Sequence, residues 1–108
     1  MPYSLNQKLL AEYIGTLMLV FSVVGSGIMA NNLSPNNEGV VLLANAIATG
    51  AMLYVIISTF GPISGAHFNP VVTLYFRFKS DINNVTMILF IIFQLVGGTS
   101  GVILANYI

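Results

Sequence analysis

Polar chemistry in this chain is concentrated in one stretch, Ser64-Gly65-Ala66-His67-Phe68-Asn69-Pro70-Val71-Val72-Thr73. Backbone carbonyls of such a stretch accept hydrogen bonds and the exposed N–H groups of a helix start donate them, so it could hold a neutral hydrogen-bonding solute. Glu12, Gln94 and Thr49 are further polar side chains in apolar surroundings. One histidine, three acids and no cysteine give no nucleophile with a placed base, so the chain does not read as an enzyme. No metal or cofactor site is expected.

The elements that must position these residues lie in lipid. With 56% hydrophobic and 6% charged residues, and a mean hydropathy of +0.90, the chain has too little polar surface for a soluble globule of 108 residues. The net charge is zero, with Lys8, Arg77 and Lys79 as the basic residues, so no electrostatic footprint for nucleic acid exists. The lipid bilayer is the expected partner. The absence of cysteine also removes disulfides and thiolate ligands.

Three apolar stretches, about residues 9–30, 40–60 and 85–108, are each long enough to cross a hydrocarbon core of about 30 Å, which takes roughly 20 helical residues. The first resembles a signal peptide in its short polar lead, but it is too long and Gly27-Ile28-Met29-Ala30 is a poor cleavage site. Asn31 to Gly39 is a run of turn formers without a basic residue. All three basic residues fall on the other side, which predicts a cytoplasmic N-terminus and an external C-terminus in the cell (inner) membrane. The sequon Asn84-Val85-Thr86 then lies on the inner side, as a chance match.

Between spans two and three, Gly61 to Phe68 in extended form would cover at most about 3.3–3.6 Å per residue, enough to reach the membrane middle. Asn69 reads as an N-cap and Pro70 as the first helical residue, with Val71 following. From Pro70 to about Phe78 the helix would extend roughly 13 Å, about half the hydrocarbon core. Arg77 and Lys79 suit the negative end of its dipole. Irregular backbone at membrane depth is tolerated where it is buried in protein or lines a water-filled cavity, which makes a pore wall the reading for residues 61–78. The plainer alternative is a surface loop followed by a short interfacial helix. The expected fold is thus an all-α membrane protein of three transmembrane helices plus one re-entrant half-helix.

The signature from Ser64 to Thr73 resembles the first signature loop of the aquaporin, or major intrinsic protein, family. Ala11-Glu12-Tyr13-Ile14-Gly15-Thr16 and Gln94-Leu95-Val96-Gly97-Gly98 match the same family's first repeat in order and spacing. Val23 to Met29, Leu42 to Gly50 and Phe60 to Ile63 resemble its bacterial arsenic-linked aquaglyceroporin branch. The resemblance covers nearly the whole chain and implies a single aquaporin-like half over residues 1–108. It implies a passive channel for water or small neutral solutes, with the Asn69 amide donating to the permeant and the carbonyls of Gly65, Ala66 and His67 accepting. A lone histidine is more often a packed residue than a relay, so His67 takes a backbone role.

Glu12 resembles the family's buried glutamate that accepts loop N–H groups. It also lies four residues after Lys8, where an interfacial ion pair is the plain alternative. Gln94 reads as a buried amide supporting the loop or as a polar contact between helices, and Gly97 with Gly101 as a close-packing face. Thr49 aligns with a filter position that is aromatic in water-selective members. This implies a wider constriction of glycerol or metalloid hydroxide type, against the alternative of a hydroxyl bonded to its own helix.

Two departures stand out. Val71 replaces the usual alanine, which puts close central packing in question, and the chain carries one repeat where the family has two inverted ones. The end at Ile108 reads as a truncation, with the missing second repeat or an inverted partner needed to complete a pore. An inverted homodimer is opposed by the one-sided basic residues, and Val72 stands where the filter arginine would follow. Homotetramers are the family's assembly. A non-conducting membrane assembly module is the rival reading. No acidic pair suggests an ion-coupled transporter.

Overall fold

The computed structural model describes residues 3–108, and among them all regular structure is helical. Helix α1 spans Leu5–Leu33, α2 Glu38–Ser64, α3 Pro70–Phe78 and α4 Asn84–Tyr107. The three long helices are apolar enough to cross a membrane. Their starts follow from side chains that satisfy the orphan N–H groups of a first turn. Ser4 and Gln7 form a capping box, Asn37 accepts from Val40 N, and Asn83 accepts from Thr86 N. Each long helix starts before the apolar stretch that announces it, because capping side chains extend the first turn into polar sequence.

Helix α1 is central, packed on α2 and on α4, while α3 packs on α4. Close approach of α1 and α4 depends on glycine. A Cβ on Gly97 would lie 2.5 Å from the Tyr13 carbonyl oxygen, and one on Gly101 would lie 2.6 Å from that of Leu17. Both distances are shorter than a carbon–oxygen contact allows, so the small-xxx-small face predicted from sequence is spent inside the chain.

The outward surface is apolar. Only 6% of the apolar window of α2 is buried, so that helix must be covered by lipid or by further protein. On α3, Val71, Leu74, Tyr75 and Phe78 share one helical face and are exposed by 70%, 50%, 57% and 91%. Arg77 lies in the last turn of α3 and Lys79 is its C-cap, at the negative end of the dipole.

The segment between α2 and α3 differs from the sequence expectation. Extended chain is expected from Gly61 to Phe68, yet α2 continues through Gly61 and Pro62 to Ser64. Proline fixes a helical φ and, this near the end, sacrifices one hydrogen bond. Termination comes at Gly65, whose φ of +91° is the left-handed cap conformation and whose N–H donates to Gly61 O. The non-helical segment is therefore only Gly65 to Asn69, roughly 17 Å at full extension.

Candidate functional site

The short segment is folded by left-handed backbone. Besides Gly65, Ala66 (φ +55°) and Phe68 (φ +53°) occupy this region, which costs about 1–3 kcal/mol for a non-glycine residue unless neighbours fix it. The fixing group is Glu12, fully buried on α1. Its Oε2 accepts from Ser64 Oγ at 2.6 Å and from His67 N at 3.2 Å. Its Oε1 accepts from Phe68 N at 2.9 Å and from Gln94 Nε2 at 2.7 Å. Two donors on each oxygen satisfy a carboxylate, and the loop is tied to α1, α2 and α4 at one point. Glu12 therefore serves the loop, and Lys8 is not among its hydrogen-bond partners. Gln94, 2% exposed, donates to Glu12 on α1 and to Thr73 on α3, so it is a polar contact between helices that also braces the carboxylate holding the loop.

Packing closes the same region. The Phe68 ring sits directly on Gly15, where any Cβ would collide with it, and meets Phe60 edge-on at a centroid distance of 6.3 Å. His67 is buried, stacked on Phe76 at 4.6 Å and tilted against Phe90 at 5.1 Å, with Nδ1 3.0 Å from Thr73 Oγ1. It is a packed histidine, as a lone one usually is. Ser64 Oγ also accepts from Ala66 N at 3.2 Å.

With N–H groups of His67 and Phe68 drawn inward, the open side of the segment carries Gly65 and Asn69, both exposed. Asn69 Oδ1 accepts from Val71 N at 2.7 Å and caps α3, with Pro70 at the first helical position. The cap uses the carbonyl oxygen and leaves the Asn69 NH2 free to donate. Asn69, Pro70, Val71, Gly65, Ala66, His67, Glu12 and Gln94 thus share one site.

Thr49 is not brought into it. It lies on α2 about 22 Å from Ser64 along the helix, by the 1.5 Å rise per residue. Its buried Oγ1 has no hydrogen-bond partner, so the bond to its own helix is not made. The sequence reading gives no role to Ser64, Phe68, Thr73 or Gly15, although all four lie inside the quoted motifs. Ser64, Thr73 and Gly15 share one signal, a small or hydroxyl residue in an otherwise bulky apolar run, whereas Phe68 carries none.

Residues 2–108 match the family described as Major intrinsic protein. The chain belongs to that family. Among curated relatives of this major intrinsic protein, "Aquaglyceroporin AqpS" of Rhizobium meliloti (strain 1021) is 42% identical over 96% of this chain and 44% of its own length. "Probable aquaporin TIP-type RB7-5A" of Nicotiana tabacum is 38% identical over 91% of this chain and 40% of its own. "Aquaporin NIP1-2" of Arabidopsis thaliana is 37% identical over 86% of this chain and 31% of its own. The chain thus spans less than half the length of these relatives.

Proposed function

We propose that this chain builds one half of a passive transmembrane channel for water and small neutral solutes, as the N-terminal half of a six-span pore. The observation that carries this reading is the segment Gly65 to Asn69. Its N–H groups at His67 and Phe68 are tied to buried Glu12, while the Asn69 amide is free on the exposed side. Fixed donors and acceptors on an open wall replace the hydration of a neutral solute. The N-terminus of α3 adds a positive dipole end that opposes cations. The exposed face of α3, which includes Val71, supports a second half-helix as its cover, and residues 1–108 act as a single unit of that pore.

The finer assignment is a glycerol or metalloid hydroxide solute. It is supported by the small hydroxyl residue at Thr49 and by the printed name of the aquaglyceroporin relative. A cytoplasmic N-terminus in the inner membrane and a homotetrameric assembly belong to the same proposal. The non-conducting module loses its operative feature, because Gly97 and Gly101 are used between α1 and α4.

Osmotic shrinkage of liposomes tests the reading. The chain joined to a second repeat with its own Asn-Pro signature followed by arginine is expected to pass water and glycerol above lipid background, and Asn69→Leu is expected to reduce both. Flux at background from the joined protein, or flux indifferent to Asn69→Leu, overturns it.

A further inference from the structure

We propose that Thr73 is a positioning residue that fixes His67 as the Nε2–H tautomer, through a directed chain of hydrogen bonds from Glu12. The direction can be read one donor at a time. Gln94 Nε2 is 2.7 Å from Glu12 Oε1 and 2.8 Å from Thr73 Oγ1. A flipped amide would set the Gln94 oxygen against the carboxylate oxygen, so the NH2 must face both, and Thr73 Oγ1 accepts from it. The Thr73 hydroxyl proton then needs an acceptor of its own.

Two were available in principle, the carbonyl one turn back and His67 Nδ1. The hydroxyls of Thr99 and Ser100 show the first option, donating to Leu95 O and Val96 O at 2.9 Å. Thr73 Oγ1 makes no such bond, and its other contact is His67 Nδ1 at 3.0 Å. A proton on Nδ1 would leave the Thr73 hydroxyl, fully buried, with nothing to donate to. Nδ1 is therefore the acceptor and Nε2 carries the proton.

That proton points to a useful place. Nε2 lies beside Gly65, 3.3 Å from where a Cβ on that residue would stand. Among the described residues, the buried side-chain polar atoms without a partner are Thr16 Oγ1, Thr49 Oγ1 and Gln94 Oε1. His67 Nε2 is not one of them and makes no hydrogen bond within the chain, so it reaches the open side next to exposed Gly65. The relay from Glu12 through Gln94 and Thr73 ends in an imidazole N–H on the same wall as the Asn69 amide. The use of that donor by a permeant rests on the channel reading above; the tautomer does not.

The chain has a single histidine, so its imidazole can be read without assignment. The test uses the full chain, labelled with 15N-histidine in phosphatidylcholine vesicles, well above the unperturbed imidazole pKa of about 6.5. The expected spectrum has a pyridine-type Nδ1 and a pyrrole-type Nε2, with a hydroxyl proton near Nδ1 in a proton–nitrogen proximity spectrum. Thr73→Ser should keep this pattern, and Thr73→Val should replace it with a mixture of tautomers. A pyrrole-type Nδ1 in the unsubstituted chain overturns the proposal, as does an unchanged single tautomer in Thr73→Val. Should Thr73→Val not fold, the proximity signal in the unsubstituted chain decides alone, its absence counting against the relay. Solute flux is not a readout here, so failure of the channel reading would show separately.

Discussion

Replacing Glu12 by glutamine keeps the shape of the group that holds the loop and removes its charge. The four donors around the carboxylate leave little room for an amide. Placing the new NH2 where Oε1 was would set it against Phe68 N and Gln94 Nε2, both donors. Placing it where Oε2 was is better, because the Ser64 hydroxyl can turn and accept, but His67 N then loses its acceptor. An orphaned buried N–H costs about 1–3 kcal/mol, and each bond to the other oxygen loses about 1 kcal/mol when the acceptor becomes neutral. The combined loss is roughly 3–5 kcal/mol. The left-handed conformations at Ala66 and Phe68 already oppose the loop by about 1–3 kcal/mol each, so the loop rather than the helices should open.

Amide hydrogen exchange of the full chain in lipid vesicles measures this directly. At 1.4 kcal/mol per factor of ten, His67 and Phe68 should exchange roughly a hundred- to several-thousand-fold faster in Glu12→Gln. Amides in the middle of α1 and α4 should keep their protection. Protection at His67 and Phe68 within about threefold of the unsubstituted chain would refute the idea that the charged carboxylate holds the loop, and uniform loss across all four helices would refute its local action.

Other substitutions separate the remaining contributions. Gly15→Ala should expel the Phe68 ring and lower the thermal midpoint by circular dichroism, with Phe68→Leu in the same chain recovering part of the loss, since the two residues are in contact. Gly97→Val should force α1 from α4 at the Tyr13 carbonyl and destabilise by about 1–3 kcal/mol or more, read as an earlier midpoint in a denaturant titration. Asn69→Asp keeps an oxygen for Val71 N but has no NH2, so α3 should retain its helix signal while solute flux of the joined pore falls; equal flux would count against amide donation. Thr49→Phe is expected to reduce glycerol flux while sparing water, and unchanged glycerol uptake would remove Thr49 from the constriction.

The helices were legible because each rests on local signals. Apolar stretches of spanning length, the turn formers from Asn31 to Gly39, and the Asn69-Pro70 start all act within a few residues. The expected extension from Gly61 to Phe68 fails at its start for the same reason, since the end of the apolar stretch near Phe60 does not reveal that α2 runs on to a cap at Gly65. The site was legible only in part. Glu12, Gln94 and Asn69 announce themselves as polar groups in apolar sequence, but the partners of Glu12 come from residues 52 to 82 positions away. Periodicity carries no information at that range.

Thr73 shows why the rest was hidden. Its hydroxyl lies within the signature, one turn after Asn69, and by sequence is an ordinary helical threonine. What sets it apart is that three elements converge on it: Gln94 from α4, His67 from the loop, and through Gln94 the charge of Glu12 on α1. A polar group gains a defined role in a low-dielectric interior only when every lone pair and proton around it has been assigned, because each unassigned one costs about as much as the bond is worth. The sequence names the groups; their directions exist only once α1, the loop and α4 have met. The outward His67 Nε2 is therefore a product of assembly around one carboxylate, while the free Asn69 amide is set locally by its cap on Val71 N. For that reason a change at Glu12, on a different helix from either donor, should release His67 and Phe68 while leaving the Asn69 cap on α3 in place.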